Sequence, residues 1–200
     1  MTKIITAVRR ARSSIIAIAL THAIAVTVGI VMVHAGNQFA LSYRDRLVAQ
    51  ANASDPVSLS FQQGLRLRAA LIETARTYWA CLSIGLTGLS IIFPFALSGY
   101  RGWIGGIVSV GGSHISRLIV LNQAIYYLSV VILQLIPYSL AAGAGLNLGL
   151  TYFRPRQEYQ GEKWIGYPKE AIWDLVRIFI LIIPFVIVAN FWEFLSPLNH

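Results

Sequence analysis

Charge is what this sequence has least of. Of its 200 residues, 12% are Asp, Glu, Lys or Arg and 56% are hydrophobic, whereas ordinary soluble domains carry roughly 25% charged residues. Only eight residues are acidic, and no apolar run holds two carboxylates that could share general acid–base work. Cysteine is nearly absent. Cys81 is the single one, which excludes an intramolecular disulfide and a cysteine metal cluster and leaves a packing role inside its apolar run. The four histidines, His22, His34, His114 and His200, are scattered without an i, i+4 pair or an acidic cluster beside them, so no metal site is expected. The chain also lacks a P-loop and a G-x-S-x-G elbow. These absences together predict a protein with no enzymatic activity and no cofactor of its own.

What the chain has is long apolar sequence with basic flanks. Lys and Arg outnumber Asp and Glu by 16 to 8. The basic residues sit beside apolar segments, at Lys3, Arg9, Arg10 and Arg12 and again at Arg66, Arg68 and Arg76. That placement suits lipid head groups and membrane topology, and nucleic acid is not expected as a partner.

Residues 1–12 read as a basic arm. Residues 13–33 then run without a charge, enough at about 1.5 Å per residue to cross a ~30 Å hydrocarbon core. The run exceeds the apolar region of a signal peptide, and His34-Ala35-Gly36 is a weak cleavage site, so a retained anchor is expected. His22 lies within it, either as a hydrogen-bonded bundle residue or as a proton relay. Residues 34–77 form the one long polar segment. Phe61, Leu65, Ala69, Leu71, Ile72 and Ala75 recur at helical spacing, which predicts an amphipathic helix along the membrane interface.

Residues 78–97 read as a second span with a kink at Pro94, closed by a Tyr100-Arg101-Gly102-Trp103 belt. Gly102, Gly105, Gly106, Gly111 and Gly112 follow, a composition for close helix packing rather than phosphate binding. Residues 119–153 form an uncharged stretch, too long for one crossing if wholly helical. Pro137 is the expected break, giving a helical hairpin of spans 119–136 and 138–153; a tilted, kinked helix is the alternative. A polar loop over 154–174 leads to a final span at 175–194, where Asp174 and Arg177, three apart, are placed to pair structurally.

The predicted fold is therefore all-α: one polytopic integral membrane helix bundle over residues 1–200, with about five transmembrane helices, a proline-broken central hairpin and one amphipathic interfacial helix. Four basic residues precede the first span, and Arg154, Arg156, Lys163 and Lys169 lie in the 154–174 loop. Both regions are expected in the cytoplasm, with the C-terminus outside.

The run Val131–Gly149, VILQLIPYSLAAGAGLNLG, is the most informative stretch. Gln134 and Asn147 need partners wherever water is excluded. Ala141, Gly145 and Gly149 recur every four residues and let another backbone approach closely. This run resembles the signature of the stage II sporulation protein M family, small bacterial and archaeal membrane proteins. Gly145-Leu146-Asn147-Leu148-Gly149 stands where that family has glycine-leucine-arginine-leucine-glycine, Gln134 falls on its glutamate position, and Pro137 lies one residue late in its leucine-proline step. Ala189, Glu193 and Pro197 match a second feature at the end of the last helix, so the resemblance covers about residues 75–197. If the family glutamate and arginine pair, Gln134 and Asn147 are their neutral replacement, and Gln134→Glu with Asn147→Arg is expected to recover what either change alone loses.

The resemblance implies a non-enzymatic scaffold or accessory subunit in a bacterial or archaeal cytoplasmic membrane. Its expected partners are membrane lipid and other membrane proteins, in a hetero-complex or a homodimer. The expected contact residues are Gln134, Pro137, Ala141, Gly145, Asn147, Gly149 and Glu193. The alternative is the membrane subunit of a permease served by a separate ATPase, since polar amides in a proline-broken helix resemble the discontinuous helices of carriers.

Overall fold

The structure, a computed structural model, describes residues 2–153, 157–159 and 161–198. Helix α1 runs over Thr2–His34. The basic arm is thus the opening turns of that helix rather than a segment ahead of it, because neither glycine nor proline interrupts residues 2–28. Gly36, at φ +71°, ends the helix in the left-handed conformation glycine adopts without cost. Asn37 then caps α2 (Gln38–Ser54) by accepting from the Ala40 amide at 3.0 Å.

The expected interfacial helix over 34–77 is not continuous. Asp55 closes α2 and caps α3 (Pro56–Gln62), with Pro56 in the first turn, where its missing N–H costs nothing. Gly64, at φ +75°, separates α3 from α4 (Arg66–Thr87). The expected span over 78–97 is also divided. A 3₁₀ turn over Gly88–Ser90 and Ile91 at φ +40° interrupt it, and α5 begins at Ile92 and ends at Ile107. Pro94 lies in the first turn of α5, where no intrahelical bond is lost, so it starts a helix rather than kinking one.

Helix α6 (Leu121–Phe153) passes unbroken through Pro137, so there is no hairpin between 119–136 and 138–153. The physical reason is burial. Every residue from Pro137 to Gly149 is buried, with α1, α4 and α7 packed around this half of the helix. A helix enclosed on all sides stays helical although the proline leaves one carbonyl unbonded. At about 1.5 Å per residue α6 is ~50 Å long, more than one ~30 Å core, and Tyr152 and Phe153 are exposed at its end. A two-residue hairpin pairs Lys163–Trp164 with Tyr167–Pro168, turning through Ile165 and Gly166, both at positive φ. Helix α7 (Lys169–Leu195) carries Pro184 inside it.

Three helices are long and apolar enough to cross a membrane by themselves, Lys3–His34, Leu121–Phe153 and Lys169–Leu195, where five spans were expected. The start of α1 meets the start of α7 through Arg10, Glu170 and Asp174. This end of the bundle is called the basic end, and the other, where α1 and α7 finish and α6 begins, the loop end. Glycine sets two close helix crossings. Gly102 and Gly106 on α5 lie against the backbone of His22, Val26 and Gly29 on α1, so these helices run parallel in contact. Gly85 and Gly88 lie against the backbone of Gly145, and Gly149 against that of Gly88. These close contacts hold α4 and the following turn on α6.

Candidate functional site

A cavity of about 470 Å³ lies in the loop-end half of the bundle, walled by α1, α4, α5, α6 and α7 and by Arg117 of the loop after α5. Its lining sets several polar and charged side chains among apolar ones, in a chain with little charge to place. Glu73 comes from α4, Arg101 from α5, Tyr126, Tyr127, Gln134 and Tyr138 from α6, Glu193 from α7 and His22 from α1. His22 is about 18 Å from the end of α1, counting its twelve remaining residues at ~1.5 Å each. The cavity therefore reaches well inside the apolar zone.

Each charge is held on a specific rung. Arg101 stacks over the Tyr138 ring at 4.4 Å and donates to its hydroxyl. Gln134 Nε2 donates to Asn190 Oδ1 at 2.9 Å and to Glu193 Oε2 at 3.1 Å. Tyr126 donates to the Glu193 backbone carbonyl, and Tyr127 to that of Gly105 at 2.8 Å. Arg76 bridges Glu73 at 2.6 Å and Asp55 at 2.8 Å. Two buried polar atoms on the wall, His22 Nδ1 and Gln134 Oε1, have no protein partner among the described residues.

The loop over 108–120 closes this end and carries Arg117. A second cavity of about 380 Å³ lies under it, and Arg117 and Tyr126 line both. Two histidines tie the loop down: His34 Nε2 to Ser116 Oγ at 2.7 Å, and His114 Nε2 to Asp45 Oδ2 at 2.9 Å. The hydrogen bond from Arg44, and after it the one from His114, hold the Asp45 carboxyl below its usual value. A depressed carboxyl stabilises the fold fully above its unfolded value of about 3.9 and loses that contribution as pH falls through the lowered value. The melting-temperature gap between wild type and Asp45→Asn should accordingly persist at neutral pH and close in the acid range. A gap that widens on acidification would refute the tie.

The expected contact residues separate into three groups. Gln134 and Glu193, which come from the two distant stretches carrying the family resemblance, meet directly on the cavity wall. Pro137, Ala141, Gly145 and Gly149 are buried within the chain, the last two at the α4 crossing and Ala141 with its carbonyl facing Gly85. Asn147 lies elsewhere, donating to Tyr159 Oη at 2.9 Å. The two amides do not replace a pair: thirteen residues at ~1.5 Å put them about 20 Å apart on one helix. Gln134→Glu should set a carboxylate beside Glu193 and destabilise the protein by about 1–3 kcal/mol. Adding Asn147→Arg should give the sum of the single losses in a thermal-unfolding cycle, where recovery would show a coupling the geometry denies.

Sequence reasoning missed Glu73, Arg101, Arg117 and the tyrosines as one site. Arg101 sits between Tyr100 and Trp103, which reads as an interface belt, and Glu73 lies on the polar side of an apparently interfacial helix. The one usable signal was Glu193, an acid inside an apolar run.

At the basic end, Asp174 (1% exposed) accepts from Arg10 at 3.1 Å, Arg177 at 2.8 Å and Tyr159 at 3.2 Å. The expected Asp174–Arg177 pair is thus part of a larger network. Arg154 and Arg156 of the 154–174 loop, and His200, lie outside the described residues. In comparisons with family models, curated proteins and solved structures, none matches this chain.

Proposed function

We propose that the chain is a membrane permease subunit that admits a small polar solute to the cavity between its helices. One observation carries the reading: Arg101 is exposed on the wall of a cavity deep among apolar helices. A guanidinium at that depth costs several kcal/mol unless water, a counter-charge or a ligand meets it. A scaffold has no need of such a charge, whereas a solute site does. Gly145 and Gly149 pack within the chain, on Gly85 of α4 and on Gly88 of the turn after it, which supports a solute site over docking through that face.

In this reading α4 and α5 cross in and out as a pair joined at Gly88–Ile91, which brings the crossings to five. The basic end then faces the cytoplasm and the loop end the outside, in keeping with the basic flank of α1. The apolar outer faces of α1, α6 and α7 meet lipid.

Cysteine accessibility tests the cavity. Val131 lines it, Val188 is 55% exposed on α7 where lipid would cover it, and the native Cys81 is fully buried. In right-side-out vesicles a membrane-impermeant thiol reagent should modify Val131→Cys rapidly and leave Val188→Cys and Cys81 untouched. Equal inertness of the residue-131 and residue-188 cysteines would sink the reading.

A further inference from the structure

We infer that the solute held in this cavity is an organic anion, a carboxylate on an apolar body, drawn in by two arginines; the inference rests on the water-accessible cavity proposed above. Most of the polar wall is already answered within the chain. Glu73 pairs at 2.6 Å with Arg76, and Glu193 accepts from Gln134 at 3.1 Å. Tyr126 and Tyr127 give their hydroxyl protons to the carbonyls of Glu193 and Gly105. The hydroxyls of Tyr100 and Tyr43 bond each other at 2.7 Å. His22 Nδ1 and Gln134 Oε1 are buried atoms with no open space before them, so neither reaches a solute. The two guanidiniums remain. Arg101 donates to the Tyr138 hydroxyl and is otherwise exposed on the wall. Arg117 lines the cavity too, and the charged side chain acting on it is a second cation, Arg44, itself bound to Asp45 at 2.8 Å. Among the described residues neither Arg101 nor Arg117 is in an ion pair. With Glu73 and Arg76 neutral as a pair, two arginines against Glu193 leave the cavity positive even with Glu193 ionised. A guanidinium offers five N–H donors in a fork that fits a carboxylate, and no acceptor.

The two arginines stand at different depths. Arg117 and Tyr126 line both this cavity and the smaller one under the 108–120 loop, which puts Arg117 at the mouth. Arg101 reaches the Tyr138 rung, twelve residues or ~18 Å along α6 from Tyr126. The bond from Tyr127 to Gly105 sets residues 104–108 of α5 level with the opening turns of α6. Ile104 and Val108 therefore face the cavity on the mouth side of Gln134, with Val130 of α6. A carboxylate on Arg101 has this apolar wall for its body and Arg117 to draw it in. An amine would meet two like charges, and an inorganic anion would leave the apolar wall without a contact.

The test reads Val131→Cys in the same vesicles with two impermeant methanethiosulfonates of similar size, one carrying a sulfonate and the other a trimethylammonium. Relative to their rates with a free thiol in solution, the anionic reagent should be favoured at least about fivefold, since a cleft of one sign concentrates the opposite ion. Arg117→Gln and Arg101→Gln should each bring that ratio closer to one, while Arg117→Lys and Arg101→Lys keep it, which separates lost charge from misfolding. Saturating hydrocinnamate should slow labelling about tenfold or more by filling the cavity, and phenethylamine or inorganic phosphate at the same concentration should not. A ratio of one or below, protection by phenethylamine or phosphate equal to that by hydrocinnamate, or labelling that no probe slows overturns the carboxylate and leaves the cavity standing. A residue-131 cysteine that neither reagent labels takes down the cavity reading itself, and this inference with it.

Discussion

Gly145→Leu should lower the melting temperature in mild detergent more than any other single change on the α4 face of α6. A Cβ built on Gly145 meets the Gly85 carbonyl oxygen, carbonyl carbon and Cα. All three are backbone atoms, so no side chain can rotate out of the way and the two helices must part. On the other side, a Cβ at Gly88 meets the Gly145 backbone, so the crossing cannot slide to relieve the clash. Overpacking in a closed core costs typically about 1–3 kcal/mol and occasionally more, and a rigid backbone contact belongs at the upper end. At roughly 2–4 °C per kcal/mol for a chain of this size, about 3 kcal/mol is a drop of ~6–12 °C. Gly112→Ala is the control, since nothing lies within 4 Å of its built Cβ and its φ is not positive; its effect should stay within about 0.5 kcal/mol. Equal melting of the two variants would mean that α4 does not lie on α6. Because α4 also carries Glu73 to the cavity, the leucine variant should label faster at Val131→Cys as well.

The helical class, the last apolar helix and the close-approach role of Gly145 and Gly149 could be read from residue type and period alone. The breaks could not. Pro137 is the strongest helix breaker in the longest apolar run, yet the helix continues, because the buried segment 137–149 has packing on every side that outweighs one missing hydrogen bond. The break falls instead at Gly88–Ile91, ahead of Pro94 rather than at it, where the chain must leave α4 and turn back along α1. Local propensity names residues able to break a helix, and tertiary contact decides which of them does. The site was half legible for a related reason. Gln134 and Glu193 stand out as polar residues in apolar runs, whereas Arg101 and Glu73 look like interfacial charges until α5 and α4 turn them inward.

Asp174→Asn should be the most damaging change at the basic end. The Asp174 side chain is 2% exposed and stands between two guanidiniums that are 22% and 18% exposed, those of Arg10 and Arg177. Removing one partner of a buried ionic cluster costs about 3–5 kcal/mol, because the charges left behind keep their desolvation penalty. Glu170 bridges the same arginines, at 3.4 Å and 2.6 Å, and remains, so the lower end of that range is expected. Glu170 itself is 46% exposed, and Glu170→Gln should cost no more than about 1 kcal/mol. The contrast between the two variants is the test: similar losses would mean that burial of Asp174 does not control the cluster. The network also reaches α6, since Asn147 donates to Tyr159 and Tyr159 to Asp174. Burial first, and then the neighbouring Asp174 carboxylate, push the Tyr159 hydroxyl up to about 12. A phenol raised above its unfolded value of about 10 stabilises the fold fully below that value and loses the contribution as pH rises through the folded one. Wild type should therefore lose stability faster than Tyr159→Phe above about pH 10, and the difference should shrink in Asp174→Asn, where the raising carboxylate is gone. Parallel alkaline profiles for wild type and Tyr159→Phe would remove the phenol from the network that joins α1, α6 and α7.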